Sequence, residues 1–432
     1  MPAAAILVSL LSLSSVFALP TQSPGVAIPI QKRVSSTAVP GVADIASLKA
    51  QLIRLSSKYE NNFAAYERNT GVPHPLAPSQ ARKQAAPTGL PLTDAQEVVW
   101  FGSISVGTPP KTFAIDFDTG SSDLFVPGSD CQNCGNHPRY DRSASSTSKD
   151  LKRPFTLQYG DGESDGDQVT DTVTVAGLTA TGQTLGVATN YSSSFASGQT
   201  DGLMGLAYPS LSGLNATPTF NTLIAQKAVP AGVFSFLLAE SGSELYLGGA
   251  NKQRYTGDIS WNKVTKEAYW QIAVASANVA GKAVVPGFEA IVDSGTTLIV
   301  GDTASVKKFW AQIPGAKEAN DIQQGFYSVP CDSVPKDVSF TIGDKTILIN
   351  PQWLNLGAVS QGSTQCVGGI VAQDGVDFWI LGDVLMRVHP PPPSAQLGDL
   401  SLTYLSHRMP TSLLTLITIA SVSPPSPPPN AS

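Results

Sequence analysis

From Val98 onward the chain is built of short apolar runs cut by glycine and polar turns. Val99–Val106, Thr112–Phe117, Phe155–Tyr159, Asp171–Val175, Gly232–Leu238 and Glu244–Leu247 form a first set. Trp270–Val274, Ala283–Val292, Val338–Ile342, Thr346–Ile349 and Trp379–Leu381 form a second. Closely spaced runs of this length predict the strands of sandwich- or barrel-like antiparallel sheets, and so an all-β fold. One helix-like segment, roughly Ile45 to Glu67, precedes them in a region otherwise rich in Pro and Ala.

The 432 residues are enough for two lobes plus accessory segments. Residues 1–18 carry no acid or base, and an apolar core ends at Val16 and Ala18, which suit a small-residue cleavage site. This reads as a secretory signal rather than a membrane span. The Asn-x-Ser/Thr sequons at Asn190, Asn215 and Asn430 are compatible with a secreted glycoprotein.

Charge is divided unevenly. Residues 19–90 hold eight Lys/Arg and three acids, whereas residues 91–432 hold 19 Lys/Arg and 30 acids. A basic leader ahead of an acidic body fits an electrostatically docked propeptide, the alternative being a disordered basic arm. So acidic a body argues against nucleic-acid binding.

Two tracts repeat each other. Ile115-Asp116-Phe117-Asp118-Thr119-Gly120-Ser121-Ser122 returns 175 residues later as Ala290-Ile291-Val292-Asp293-Ser294-Gly295-Thr296-Thr297. The Gly that closes Gly202-Leu203-Met204-Gly205 lies 87 residues after Asp118, and the one that closes Trp379-Ile380-Leu381-Gly382 lies 89 after Asp293. Matching offsets predict a strand packed behind each Asp loop, with Gly permitting close backbone approach. The halves are related, and each brings one carboxylate to a shared site.

Two carboxyls about 3 Å apart cannot both ionise, so they hold one proton between them over a wide acidic range. The ionised member takes a proton from water and the protonated member supplies one to a carbonyl oxygen. This hydrolyses a peptide bond without a metal, cofactor or covalent intermediate. Gly120 and Gly295 let the loops point their carboxylates inward, while Thr119, Ser121, Ser294 and Thr296 offer hydroxyls to lock the loops and support the dyad. An isolated Asp-Thr-Gly is more often an ordinary turn, and the second copy overturns that reading. Asp116, on the same side of the strand as Asp118, reads as a structural hydrogen-bonding group. His74, His137, His389 and His407 have no ligand or triad context, which disfavours a metal or serine hydrolase.

The cysteines fall as Cys131/Cys134 and Cys331/Cys366. In a secreted chain this favours two local disulfides, one in each half. A redox or metal site at Cys-x-x-Cys is the alternative, against which its loop-like surroundings argue.

These motifs together resemble the pepsin family of aspartic endopeptidases, of the fungal secreted type, over about residues 19–388. The resemblance implies a bilobal fold with the active-site cleft between the lobes, and Asp118 and Asp293 as catalytic pair. Tyr159-Gly160-Asp161-Gly162 is similar to the family's flap, with Tyr159 as flap tyrosine and Gly160 and Asp161 beside the substrate. An acidic surface hairpin is the plain alternative. Related fungal enzymes with Asp at the position of Asp161 accept Lys as well as apolar residues before the scissile bond. Lys58-Tyr59 resembles the pair that blocks the dyad in family zymogens, the alternative being a Lys on a solvated helix face. The disulfide positions match as well. The implied organisation is a signal (1–18), a propeptide (19–90) cleaved near residues 83–93, an N-terminal lobe (91–262) and a C-terminal lobe (263–389). Partners would be protein and peptide substrates and the chain's own propeptide, for a monomer that is secreted or vacuolar.

Two departures stand out. Phe125 occupies the position where the family usually has Trp, so an indole N–H toward the flap tyrosine is missing. After Val388 the family's closing strands give way to His389-Pro390-Pro391-Pro392-Pro393 and a Pro-rich tail (390–432). Four prolines cannot donate ladder hydrogen bonds, so the last strands of the second lobe are expected to be missing and its edges unpaired. An altered reading frame, a retained intron or a natural low-complexity tail would each produce this, and the alternative function is a catalytically impaired pepsin-like protein. The apolar run 413–422 is too short to span a bilayer.

Overall fold

The computed structural model describes residues 25–32, 39–78, 100–159, 162–255, 258–387, 401–406, 415–416 and 418–419. The signal, the expected maturation segment, Gly160, Asp161 and the proline run lie outside them. Two sheet systems carry the bilobal all-β fold. The first lobe uses β3 (Trp100–Val106), β4 (Lys111–Asp118), β5 (Leu124–Pro127), β6 (Lys149–Tyr159), β7 (Gly162–Val175), β8 (Leu178–Tyr191) and β9 (Gly202–Gly205). Their order is β3-β4-β9-β5-β8-β7-β6, and a β3–β7 pairing closes the sheet. The second lobe runs in the order 345–348, 338–342, 270–279, 282–292, 379–381, 299–302, 370–373.

The strand expected behind each Asp loop is present in both lobes. β9 runs parallel to β4 with Gly205 opposite Asp118, and Trp379–Leu381 runs parallel to Lys282–Val292 with Leu381 opposite Val292. The sheets are therefore mixed, not purely antiparallel as the spacing predicted. Each parallel pair is joined by a connection far longer than the dozen or so residues a parallel crossover needs. Being covered on both faces, the end of β4 is buried without alternation from Ile115 to Asp118. β6 and β7 exceed the runs predicted for them, and β8 had none, because their Thr-, Asp- and Gly-rich segments carry little apolar signal.

Two leader strands, β1 (Val26–Pro29) and β2 (Gln31–Lys32), pair with Glu244–Leu247 and with β3. Helix α1 (Ile45–Thr70) follows, capped by the Asp44 carboxylate on the Ser47 N–H (3.0 Å) and ended by left-handed Gly71 (φ 77°). Leu48, Leu52, Leu55, Tyr59, Phe63 and Tyr66, spaced by three or four, make one apolar stripe. That stripe packs against Tyr269, Ile291, Leu298, Val300, Phe378 and Ile380 of the second lobe.

Part of the tail is paired, on a strand that lies within 91–262 rather than in the second lobe. Ser401–Ser406 pairs antiparallel with Val233–Leu237, placing Leu405 opposite Phe234, so this edge is covered. The segment Ser-Leu-Thr-Tyr-Leu-Ser lies beyond the prolines, and its Thr and Tyr favour extended backbone. Both disulfides are formed, Cys131–Cys134 and Cys331–Cys366.

Candidate active site

β4 and the strand Lys282–Val292 each end at an aspartate, and the two loops that follow hold each other. The Thr119 hydroxyl donates to the Val292 carbonyl (2.9 Å) and accepts the Ser294 N–H (2.9 Å). The Ser294 hydroxyl reciprocates, donating to the Phe117 carbonyl (2.7 Å) and accepting the Thr119 N–H (3.0 Å). Four hydrogen bonds cross between lobes at two buried residues, so each lobe fixes the other's loop.

Each carboxylate is then oriented by its own loop. Asp118 accepts the Gly120 N–H (2.8 Å) and the Ser121 hydroxyl (2.5 Å), and Asp293 accepts the Gly295 N–H (3.0 Å) and the Thr296 hydroxyl (2.9 Å). The glycines are demanded by proximity. A Cβ at Gly120 would stand 2.5 Å from Asp293 Oδ2, and one at Gly295 would stand 2.4 Å from Asp118 Oδ1. Every residue of the repeated tracts assigned to the dyad is therefore brought together.

Lys58 and Tyr59 of α1 reach the same point. Lys58 Nζ donates to Asp118 Oδ1 (2.8 Å) and lies 3.0 Å from both oxygens of Asp293, and the Tyr59 hydroxyl donates to Asp293 Oδ2 (3.1 Å). All four side chains are buried. Burial disfavours the Lys58 charge, but the two carboxylates outweigh it and hold its pKa well above that of an ordinary lysine. Burial raises Asp118 too, yet the Lys58 cation and the Ser121 hydroxyl bring it below the usual carboxylate value. Burial pushes Asp293 up to about 6, with the Asp118 charge adding to the rise and Lys58 opposing it. The two carboxyls are thus driven apart, one ionised and one ready to hold a proton.

Asn62, one turn beyond Lys58, donates its amide to the Gly120 carbonyl (2.8 Å), a contact not anticipated from sequence although the helical spacing offered it. Asn61 donates to the Gln158 carbonyl at the base of the β6–β7 hairpin (3.2 Å). That hairpin has Tyr159 paired with Gly162, as a flap requires. Gly160, Asp161 and the Tyr159 side chain lie outside the described residues. Phe125 is buried and packs edge-on against Tyr191 and Phe195 (centroids 5.9 and 5.3 Å). Asp116 is buried and, with Asp118, Phe195, Leu203 and Leu298, lines the cavity beneath α1. The Phe195 wall had no motif to announce it.

Asp383 also went unread. Its N–H donates to the Thr296 carbonyl (2.8 Å) behind the Asp293 loop, and its carboxyl is buried, with the Trp100 indole as a polar neighbour. Burial pushes Asp383 up to about 7, opposed by the cations of Lys32 and Arg387. A raised carboxyl pKa gives stability that is complete below the unfolded value of 3.8 and is lost as pH rises through about 7. The loss is of the order of 4 kcal/mol. The unfolding midpoint of the chain should therefore fall between about pH 4 and pH 8, and Asp383→Asn should flatten that fall. An unchanged pH profile in the variant would remove Asp383 as its cause.

Comparison with known proteins agrees with this geometry. The family model described as eukaryotic aspartyl protease matches residues 99–389. An aspartic protease of Phaffia rhodozyma is 43% identical over 323 residues, covering 73% of this chain and 78% of the relative. Cathepsin D of Gallus gallus is 37% identical (70% of this chain, 79% of the relative), and chymosin of Ovis aries is 36% identical (69% and 78%). Among the described residues no helix is long and apolar enough to cross a membrane. With two interlocked Asp loops and a match across most of its length, the chain belongs to the eukaryotic aspartyl protease family, as an aspartic-type endopeptidase of the pepsin kind.

Proposed function

We propose that this chain is a secreted acid endopeptidase made as a proenzyme, with Asp118 and Asp293 as its catalytic pair. The observation that carries the reading is the convergence of both carboxylates on Lys58 Nζ. A site that gathers two carboxylates round one small cation can gather them round one water once the cation leaves. The ionised carboxylate then removes a proton from water as its oxygen bonds to the peptide carbonyl carbon. The protonated one gives its proton to the carbonyl oxygen. Collapse of the resulting gem-diol breaks the C–N bond, with one hydroxyl proton returning to a carboxylate and the amine leaving protonated by the other.

Lys58 and Tyr59 are the propeptide's blocking pair, and α1 occupies the cleft that substrate would take. The apolar stripe of α1 lying in that cleft supports a preference for apolar residues around the scissile bond. The proposed organisation is signal 1–18, propeptide 19–90, lobes 91–262 and 263–389, and tail 390–432, in a monomer. Asn190 and Asn215 are exposed, as glycosylation in the secretory route needs; a vacuolar destination shares that route. The test is hydrolysis of protein substrate at about pH 3–5 that pepstatin abolishes, where a dyad sharing a proton works. Absence of such hydrolysis in a folded chain would favour the second reading, a catalytically impaired pepsin-like protein, which the divergent tail supports. Asp161 at the flap is the proposed source of Lys acceptance. Asp161→Ala should lower cleavage after Lys relative to cleavage after Leu or Phe by roughly tenfold, the worth of one charge-assisted contact. An unchanged ratio would remove that role.

A further inference from the structure

Just past the end of α1 the leader sets an imidazole, which the proposed mechanism does not use, inside an aromatic pocket. The chain there reads Val72-Pro73-His74-Pro75-Leu76, and of these five His74 alone is buried, at 2% exposure. The prolines fix the backbone on either side of it, and Pro75 takes the first corner of a turn closed by the Ala77 N–H on the His74 carbonyl (2.9 Å). The ring stacks on Phe63 (centroids 5.1 Å apart, planes at 23°) and stands T-shaped to Tyr66 and Tyr269 (4.9 and 5.6 Å). Phe63 and Tyr66 lie on α1 and Tyr269 on the second lobe, so leader and body build this pocket together.

The pocket accepts only the neutral ring. His74 Nδ1 accepts the Leu76 N–H (3.2 Å), so that nitrogen is bare and the hydrogen sits on Nε2. A proton added at Nδ1 sets two donors against each other and brings a charge into an apolar site. Nε2 has no hydrogen-bond partner among the described residues, so a charged ring gains none there. The neighbouring groups do not compensate. Lys266, on the strand Val264–Glu267, holds its ammonium over the Tyr66 ring (5.3 Å) and repels a second cation. Burial keeps the Tyr269 hydroxyl well above its ordinary value and therefore neutral. The Phe63 face attracts a cation, but only on the order of tenfold. Burial first, and Lys266 second, prevail and bring His74 down to about 4.

We propose that His74 is an acid-sensitive anchor of the leader: the neutral ring holds segment 72–76 in the pocket, and a proton on Nδ1 expels it, so that this end loosens before Lys58 releases the dyad. The sign follows from the direction of the shift. Above the free value of 6.5 the ring is neutral whether seated or released, and the hold is complete. Between 6.5 and about 4 only the released ring is charged, so the hold weakens about tenfold for each pH unit. Below about 4 both forms are charged and the loss stops. This trigger involves no carboxylate, which sets it apart from the Lys58 contact. It rests on the proenzyme reading only in that the leader is the part that must leave.

The test is hydrogen exchange over residues 72–78 in the uncut full chain, at about pH 7 and about pH 4.5, corrected for the pH dependence of free amides. The comparison is His74→Phe, which fills the pocket and cannot be charged. Opening of the segment should rise roughly fiftyfold in the parent between the two pH values, and less than about fivefold in the variant. An equal rise in both chains, or none in the parent, overturns the proposal. A second readout needs no variant: proton spectra of the His74 ring in the full chain. A titration midpoint below 6.5 supports the role, and one at that ordinary value overturns it. Neither readout depends on hydrolysis, so a chain unable to cleave peptides would defeat the protease reading and leave this one standing.

Discussion

Purified Lys58→Ala chain should process itself at about pH 6, where the unsubstituted chain stays latent. Lys58 is buried between two carboxylates, and its ammonium is the cation that hydrogen-bonds to both. Removing one partner of a buried ion pair costs about 3–5 kcal/mol, because the remaining charge is left without compensation. Here two carboxylates are left, so the docked state should weaken by at least about a hundredfold relative to the open one. The pH dependence follows from the directions of the shifts. Asp293, held up to about 6, takes its proton first, and the Lys58–Asp118 pair survives that step. Asp118 is held below the usual carboxylate value, so its contribution to docking is present above that value and disappears as pH falls through the lowered one. The intact chain therefore opens only in stronger acid, and the alanine variant no longer needs it. Electrophoretic time courses at stepped pH read this directly. Identical activation profiles for the two chains would contradict the blocking role.

Much of this site was legible in the linear chain because its chemistry is duplicated. A lone Asp-Thr-Gly is a turn, but two copies with glycines at matching distances required a strand behind each loop, and both strands are there. The apolar stripe of α1 was equally readable, since its spacing is local. What the sequence withheld were contacts made by polar side chains across long separations. Nothing near His137 names Phe195, 58 residues away, and nothing near Asp383 indicates that burial would raise its pKa. Strands β6, β7 and β8 were under-read for a related reason: their solvent-facing Thr and Asp hide the period-two alternation. The tail adds one pairing that residue order does not announce. The prolines end regular pairing at 390–393, but the chain resumes it at Ser401–Ser406 on an edge that residue order alone does not identify.

The second large effect belongs to the dyad. Asp118→Asn keeps the shape of the loop and most of its hydrogen bonds, while the amide can neither take a proton from water nor share one with Asp293. Loss of positioned acid–base catalysis costs about 10²- to 10⁴-fold, and with the shared proton gone the upper end applies. Because the substitution also removes one negative charge from beside Lys58, the variant should open more readily while hydrolysing about a thousandfold or more slowly, which separates release of the leader from chemistry. The most direct test is therefore proteolysis at about pH 4 by the purified 432-residue chain beside its Asp118→Asn variant, both first shown to unfold cooperatively. Pepstatin-sensitive cleavage by the first and a rate lower by about a thousandfold or more in the second is the predicted result. Equal rates in the two, or no hydrolysis by a cooperatively folded and opened parent chain, would contradict it.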